Sequence, residues 1–343
     1  MKIETKASSL SSELMFLARI SKLNPNNKSI LIDAQDTAKL YSSSGMIYGE
    51  CVLDCRVNEP GKALIPLKII QFLNDLKETV IELEIDLDKI VITSKSGVIN
   101  LSQVAGYIEE VSTRDYEPNW LGWDVSRIKN IKYAVGSFDE TKKLWFYNGR
   151  VIATDKHTIA ILNSGYDTDR QFLIPDIITL FIDDSEKTDL ALEKELWLGN
   201  NKRAVSVAHY SDFTIPTPLV MLSELETSLF PCAVFNTAAL QQNMSIVKKL
   251  TDEHSIAAKV KLTSECINLS SGISMGDTTR TIPVIEAFLG EELEFAINAK
   301  YLHRTLTNCT GPQIIVGFAK LGNTPLLFIQ DYDITHYIIT LVN

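Results

Sequence analysis

A domain-sized repeat is the feature of this sequence that most restricts how the chain can fold. Three segments share one order of elements: a short apolar strand ending in Ile-Pro or Ile-Asn, an amphipathic stretch of helical length, a polar break and a second strand. They begin at Lys62, Arg170 and Leu293. Pro66, Pro175 and Asn298 therefore occupy equivalent positions, and the spacing between them is that of a small domain.

A second helix-length stretch precedes each of these segments, near Ser8, Asp124 and Asn236. Asp124 and Asn236 are good N-cap residues, because a short acceptor side chain can bind the free amide groups of a first helical turn. Alternating or β-rich runs follow, punctuated by Gly, Asn and Ser. The sequence therefore predicts an α+β protein of three tandem β-rich domains, 1–114, 115–228 and 229–343, with two helices in each.

The composition indicates a globular protein without a membrane span. Of the 343 residues, 45% are hydrophobic and 22% are charged, and no apolar run approaches the roughly 18 residues needed to cross a bilayer. The first residues, MKIETKASSLSSELMF, lack the apolar core of a secretory signal. The five cysteines are odd in number and form no C-x-x-C pair, which is typical of reduced thiols. We expect a cytoplasmic protein with no metal and no cofactor.

The net charge of −10 argues against nucleic acid as a partner, because proteins that bind phosphate usually carry excess positive charge. That argument fails if the cations are concentrated on one surface while the acids populate another. The distribution of charge, and not its sum, must therefore decide whether the protein can bind nucleic acid.

Two stretches carry a resemblance to a known family. NGRVIATDKHTIAIL contains Asn-Gly and then Ala-Thr-Asp-x-His. FAINAKYLHRTL, with an Asn-x-Lys-Tyr-Leu helix start, is followed by TPLLFIQD and by the strand HYIITLV. In this order and spacing the sequence resembles the bacterial DNA polymerase III beta subunit, the sliding clamp, over essentially the whole chain. It looks like a divergent and shortened member, of the kind that a phage or a mobile element can encode.

The resemblance implies a particular architecture and function. Clamps of this family are head-to-tail rings, normally homodimers of three-domain chains, with helices lining the hole and sheets outside. They are not enzymes. The ring encircles duplex DNA without sequence preference, and short linear peptides from the polymerase and the clamp loader bind to it. We therefore expect a processivity factor whose partners are duplex DNA, a polymerase, a clamp loader and a second copy of the chain.

A helix in such a ring must bury one face on its sheet and turn the other towards DNA. Five of the six predicted helices place cations away from the apolar face. These candidate DNA-binding residues are Arg19, Lys22, Lys68, Arg127, Lys129, Lys248, Lys249, Lys300 and Arg304. The sixth helix, PDIITLFIDD, carries Asp176 on its polar side instead. By position match to the family, Trp145 and Phe146 would also touch DNA.

The segment ATDKHTIAIL allows three interpretations. Asp155 and His157 could be the acid–base pair of a hydrolase, but no nucleophile motif or phosphate-binding loop accompanies them. On a strand both side chains would point to one side, which could suit a metal ion, but the other histidines have no ligand-like spacing. In the resembling clamps the segment forms one wall of a hydrophobic peptide-binding pocket, and Asp155 would hold its turn through a short acceptor side chain.

The resemblance implies a set of pocket residues at the matching positions. They are Thr154, Lys156, His157, Thr158, Ile159, Pro231, Thr324, Ile338, Thr340, Leu341 and Val342. Two places depart from the family pattern: Lys156-His157-Thr158 replaces Gly-His-Arg, and Thr340 to Asn343 replaces a terminal Met-Pro-Met/Val-Arg-Leu segment. We therefore expect the pocket to keep its place while its peptide preference differs.

The sequence thus predicts a non-enzymatic DNA sliding clamp that tethers a polymerase through a peptide-binding pocket. The main alternative is a clamp-like interaction protein, such as a replication modulator, whose repeats do not close into a ring. A weaker alternative is a hydrolase that uses Asp155 and His157.

Overall fold

The computed structural model describes residues 1–23, 29–76, 79–86, 89–102, 118–136, 143–165, 171–182, 188–192, 195–207, 215–251, 256–273 and 276–341. Within them the α-helices are α1 (Ala7–Ser21), α2 (Ile69–Asp75), α3 (Thr217–Ser223), α4 (Thr237–Lys249) and α5 (Ala299–Thr307). Short 3-10 helices cover Ser126–Asn130, Lys132–Ala134, Asp176–Phe181 and Thr227–Leu229. No helix in these ranges is long and apolar enough to cross a membrane.

The strands of the described residues fall into three groups along the chain. The first group is β1 (Lys2–Lys6), β2 (Ser29–Ala34), β3 (Ala38–Ser43), β4 (Ile47–Leu53), β5 (Cys55–Glu59), β6 (Gly61–Pro66), β7 (Val80–Ile85), β8 (Lys89–Ser94) and β9 (Gly97–Ser102). The second is β10 (Lys143–Tyr147), β11 (Arg150–Thr154), β12 (Thr158–Asn163), β13 (Phe172–Pro175), β14 (Asp189–Leu192), β15 (Leu196–Gly199) and β16 (Arg203–Val207). The third is β17 (Cys232–Asn236), β18 (Ala257–Leu262), β19 (Cys266–Ile273), β20 (Gly276–Pro283), β21 (Glu286–Phe288), β22 (Leu293–Asn298), β23 (Gln313–Leu321), β24 (Thr324–Asp331) and β25 (Ile334–Ile339).

The first compact unit consists of Met1–Ser126 and Leu180–His209. One of its sheets has the strand order β5-β1-β7-β8-β9, and the other has the order β14-β15-β16-β4-β3-β2-β6. Helix α1 packs on β3 and β4 because Leu10, Leu14 and Leu17 recur at the helical spacing that places them on one buried face. These leucines form the core between helix and sheet.

The second compact unit consists of Arg127–Thr179 and Tyr210–Asn343. Its larger sheet has the order β13-β10-β11-β12-β25-β24-β23-β17-β21, and its smaller sheet has the order β20-β19-β18-β22. Helices α4 and α5 pack against each other. The side chain of Asn236 caps α4 by accepting a hydrogen bond from the amide of Ala239 at 2.9 Å, and Asn298 caps α5 in a similar way. The predicted cap at Asn236 is therefore confirmed.

The middle repeat contributes strands to both units. Strand β16 pairs with β4 in the first unit, and β12 pairs with β25 in the second. Each unit is therefore built around a sheet that continues from one sequence repeat into the next. The predicted α+β class is confirmed, while the domain limits 1–114, 115–228 and 229–343 stay a prediction, and the first of these limits falls outside the described residues.

Four of the six predicted helices are α-helices, namely α1, α2, α4 and α5. Both helices predicted in the middle repeat are short 3-10 helices instead. Their segments contain β-branched residues, most clearly DIITLF, and such residues lose side-chain freedom in an α-helix. Helix α3 was not predicted, although its sequence TPLVMLS has a proline in the first turn, where proline favours a helix start.

Candidate binding groove and cationic helix face

The second unit contains an open apolar groove with a volume of about 790 Å³. Its lining residues are Trp145, Thr154, Lys156, Ile159, Pro216, Pro218, Leu219, Met221, Leu222, Leu321, Gly322, Thr324, Leu326 and Ile339. Lys156 is the one charged residue among these lining residues. The groove therefore suits an apolar ligand that carries a negative group.

Part of the groove was predicted from the sequence and part was not. The predicted pocket residues that line it are Thr154, Lys156, Ile159 and Thr324. Helix α3 supplies a further wall through Leu219, Met221 and Leu222, which were not predicted. The signal that could have found this wall is the run PTPLVML, in which two prolines precede apolar residues at helical spacing.

Neighbouring residues on β12 and β25 alternate between the groove and the core, as side chains on a strand must. Ile159 and Ile339 line the groove, whereas Thr158 and Ile338 are fully buried. Ile338 packs with the core under α4 and α5. The prediction that Thr158 and Ile338 contact a ligand is therefore wrong, because both side chains point to the other side of the sheet.

The carboxyl-terminal residues close the sheets instead of lining the groove. Besides Thr158 and Ile338, the predicted pocket residues outside the lining are His157, Pro231, Thr340 and Leu341, and Val342 lies outside the described residues. The Thr340 hydroxyl donates to the carbonyl of Pro325 at 3.1 Å. Leu341 forms an isolated antiparallel bridge with Ala296.

Asp155 organises the turn between β11 and β12. Its Oδ1 atom accepts hydrogen bonds from the amide of His157 at 3.0 Å and from both the amide and the hydroxyl of Thr158 at 2.7 Å. Between them, Lys156 takes a φ of 76°, in the left-handed region that favours glycine. The Lys156 amide donates to the hydroxyl of Thr154 at 3.1 Å. The prediction that Asp155 holds this turn is confirmed.

Arg304 of α5 is bound to the same turn. Its Nη2 atom forms an ion pair with Asp155 and donates to the hydroxyl of Thr158 at 2.7 Å. Its guanidinium lies 5.4 Å from the ring centroid of Tyr133 and 5.3 Å from that of Tyr301. Burial alone would raise the pKa of Asp155, but hydrogen bonds from Arg304 and Thr158 outweigh burial and hold that pKa below its usual value. Asp155 is thus a structural carboxylate, which argues against the hydrolase interpretation.

A buried polar network holds α5 on β25. The hydroxyl of Tyr133 donates to the hydroxyl of Thr305 at 3.1 Å and lies 2.9 Å from Nδ1 of His336. Burial, with a smaller effect of the Arg127 charge, lowers the pKa of His336 to about 3, so this ring is neutral near pH 7. Across the described ranges, no group of three or more His, Cys, Asp or Glu side chains is placed to hold a metal ion.

Three of the candidate cations lie on the adjoining helices α4 and α5. Lys249 and Lys300 are exposed, and Nζ of Lys248 lies 3.4 Å from Nδ1 of His303. Burial and the Lys248 charge lower the pKa of His303. We call Lys248, Lys249 and Lys300 the cationic face. In the first unit the exposed candidates are Arg19, Lys22 and Lys68.

The remaining candidate cations, Arg127, Lys129 and Arg304, are half-buried. Arg127 forms an ion pair with Asp333 and lies 5.6 Å from the ring centroid of Tyr332. Arg304 is held by Asp155, and Lys129 is half-buried beside Arg127 on the same 3-10 helix. The sequence pattern could not distinguish these side chains from exposed ones, because their partners lie far away along the chain.

Several solved structures match this protein over its whole chain. A DNA polymerase sliding clamp from Bacillus subtilis matches with a TM-score of 0.80 at 17% sequence identity, over 100% of this chain and 99% of that chain. A sliding clamp from Pseudomonas aeruginosa bound to griselimycin matches with a TM-score of 0.80 at 16% identity, over 100% of both chains. The chain has the sliding-clamp fold. No family model and no curated protein matches the sequence.

The match to sliding-clamp structures confirms the family resemblance from which the fold was predicted. The DNA polymerase III subunit beta from Borrelia burgdorferi, in complex with a natural product, also matches with a TM-score of 0.80, at only 12% identity over 100% of this chain and 99% of that chain. Identities this low are those of a divergent chain that keeps the fold.

The two aromatic residues expected to touch DNA lie on opposite sides of β10. Phe146 is fully buried and stacks on Phe172, with ring centroids 4.3 Å apart. The prediction for Phe146 is therefore wrong, because a buried ring cannot reach a ligand. Trp145, its neighbour on β10, points to the other side and lines the groove.

Proposed function

We propose that this protein is a DNA sliding clamp that encircles duplex DNA and tethers a polymerase through a peptide bound in the groove. The observation that carries the proposal is the match to solved sliding clamps over the whole chain. Under this proposal the chain has three clamp domains, 1–114, 115–228 and 229–343, acts without catalysis and works in the cytoplasm.

Ring closure between two copies follows from a strand-pairing rule that the chain already uses twice. The last described strand of the second repeat, β16, pairs antiparallel with β4 of the first, and the last described strand of the third repeat, β25, pairs antiparallel with β12 of the second. By the same rule β9, the last strand of the first repeat among the described residues, would add to β20 of the third repeat in another copy. Both strands are edges of their sheets, and an unpaired edge favours strand addition.

The cationic face supplies the proposed DNA contacts. Lysine ammonium groups on a helix bind backbone phosphates without reading base sequence, which suits a ring that slides. Lys248, Lys249 and Lys300 are the residues of the second unit that carry this part of the proposal. Arg19, Lys22 and Lys68 are its candidates in the first unit.

The groove supplies the proposed polymerase contact. Its walls are aliphatic apart from Trp145, two threonines and one lysine, so a short peptide would bind mainly by burying a few apolar side chains. Lys156 would attract an acidic group of the peptide and fix its direction. A clamp loader would use the same groove.

Charge reversal tests the DNA part of the proposal. A variant with Lys248, Lys249 and Lys300 all changed to Glu should bind duplex DNA at least tenfold more weakly, with a shallower dependence on salt, since each lost phosphate contact reduces the salt slope by about 0.9. The matched control changes Lys89, Lys202 and Lys259 to Glu. These lysines are also exposed and give the same net charge, but they lie on strands or a turn. Equal losses of DNA affinity in the two variants would show that the cationic face is not part of the DNA-binding surface.

A further inference from the structure

The contacts that Arg304 makes link it to the groove rather than to a DNA-binding surface. Its side chain is 36% exposed, and its guanidinium serves two acceptors in the β11–β12 turn, the carboxylate of Asp155 and the hydroxyl of Thr158. The rings of Tyr133 and Tyr301 cover the guanidinium. A phosphate would have to compete with these partners, whereas Lys249 and Lys300 on the neighbouring surface are exposed.

The turn that Arg304 binds is under backbone strain. A lysine in the left-handed region costs free energy that a glycine would avoid, because its Cβ atom crowds the backbone. Such a conformation persists only when surrounding contacts hold it. Here the contacts are the three hydrogen bonds accepted by Asp155 Oδ1 and the ion pair of its Oδ2 atom with Arg304.

The same turn forms part of the groove. Lys156 and Thr154 line it, and the Thr154 hydroxyl both accepts from the Lys156 amide and donates to the carbonyl of Thr158, each at 3.1 Å. Helix α5 contacts the turn a second time, through the stacking of Tyr301 on His157 at 5.1 Å between ring centroids. The position of Lys156 in the groove therefore depends on contacts made by α5.

We infer that Arg304 is a positioning residue of the groove: together with Tyr301 it holds the Asp155–Thr158 turn in the strained conformation that gives this wall of the groove, with Thr154 and Lys156, the shape that binds the peptide. This inference rests on the proposed function of the groove. It removes Arg304 from the DNA-binding residues and assigns it to peptide recognition. It also explains how a lysine can occupy a position where the resembling clamps have glycine.

The first measurement compares peptide binding with DNA binding. The probe is a fluorescein-labelled peptide, Ala-Leu-Asp-Ile-Leu, which offers apolar side chains to the groove and one carboxylate to Lys156. Arg304→Gln should weaken binding of this peptide about tenfold, the effect of losing a charged hydrogen bond. Its affinity for duplex DNA should change no more than that of the control Lys259→Gln. A loss of DNA affinity without a loss of peptide affinity would overturn the inference.

The second measurement is rescue by glycine. If Arg304 acts only by holding the strained turn, a glycine at position 156 makes it dispensable, because glycine adopts this conformation without help. Adding Arg304→Gln to Lys156→Gly should then change peptide affinity less than twofold. Adding it to Lys156→Ala, which also removes the charge but keeps a Cβ atom, should still cost about tenfold. Equal losses in the two backgrounds would contradict a positioning role.

A third measurement does not need a peptide. Hydrogen exchange of the His157 and Thr158 amides reports the turn directly, because both amides donate to Asp155. Arg304→Gln should speed this exchange about tenfold, and Lys156→Gly should restore protection. Unchanged exchange in a folded Arg304→Gln variant would refute the inference. If the wild-type protein does not bind the peptide, the groove function fails, and this exchange still decides whether Arg304 holds the turn.

Discussion

Ile338 and Ile339 are neighbours on β25 that face opposite sides of the sheet. Ile338 is fully buried in the core cluster beneath α4 and α5, and Ile339 lines the groove. The two residues have the same side chain and differ only in the side to which the strand turns them. They therefore form a matched pair for separating ligand binding from stability.

Substitution of this pair should give opposite results. Ile339→Ala should weaken binding of the Ala-Leu-Asp-Ile-Leu peptide by about 1–3 kcal/mol, since an apolar anchor loses its contact, with little loss of stability. Ile338→Ala should instead lower the free energy of unfolding by about 2–5 kcal/mol, because it leaves a cavity in the core. Fluorescence anisotropy and urea denaturation measure the two quantities. Equal effects of both substitutions on peptide binding would show that the groove is not the peptide site.

Replacing Lys156 with glycine should stabilise the protein. The φ of 76° favours glycine, and relief of this strain outweighs the greater freedom of glycine in the unfolded chain. We expect Lys156→Gly to raise the free energy of unfolding by about 0.5–1 kcal/mol, measured by urea denaturation. Lys156→Ala, which keeps a Cβ atom, should give no increase. A gain of equal size in the alanine variant would mean that removal of the charge, not of the strain, is responsible.

An acidic residue on the β9 edge should separate the two copies of the proposed ring. The side chain of Val98 is 58% exposed on β9, the edge strand of its sheet. Val98→Asp should raise the dissociation constant of the dimer at least tenfold, because a charge on an edge disfavours strand addition. Val80→Asp is the control, since Val80 is 49% exposed on β7 in the interior of the same sheet. If sedimentation equilibrium gives the same dimer dissociation constant for Val98→Asp, Val80→Asp and the wild type, β9 is not at the interface.

His336 should make the folded state sensitive to mild acid. In the unfolded chain this histidine binds a proton near pH 6.5, but in the folded chain its pKa is lowered to about 3. The unfolded state therefore binds more protons between these values, and the free energy of unfolding falls as the pH drops, by up to about 1.4 kcal/mol per pH unit. His336→Gln should give a shallower slope between pH 6.5 and 4.5, measured by urea denaturation. Parallel slopes would show that His336 is not the titrating group.

Four of the six predicted helices were predictable because their signals are local. The apolar spacing of α1 and the caps at Asn236 and Asn298 lie within a few residues of the structure that they specify. The Asp155 turn was predictable for the same reason. The type of the two helices in the middle repeat was not predictable, because β-branched residues favour a short 3-10 helix without changing the apolar spacing.

The groove was only partly predictable because its contacts cross long stretches of chain. Arg304 binds Asp155 over 149 residues, and no sequence pattern indicates that pairing. Thr154 and Ile159, which the resemblance implied as pocket residues, do line the groove, but the resemblance could not decide which face of β25 would turn to the groove. A shift of one residue exchanges Ile338 for Ile339, since side chains alternate along a strand.

Closure of two proposed copies around DNA would be a topological link, and a circular plasmid distinguishes such a link from surface binding. The protein is diluted until dimers dissociate, concentrated again in the presence of nicked circular plasmid, and passed over a sizing column in salt high enough to remove purely electrostatic binding. We expect the protein to elute with the circular plasmid and to be released when a restriction enzyme linearises the plasmid. Retention that is the same on circular and linear plasmid, or no retention on either by a protein that is dimeric on the same column, would contradict it.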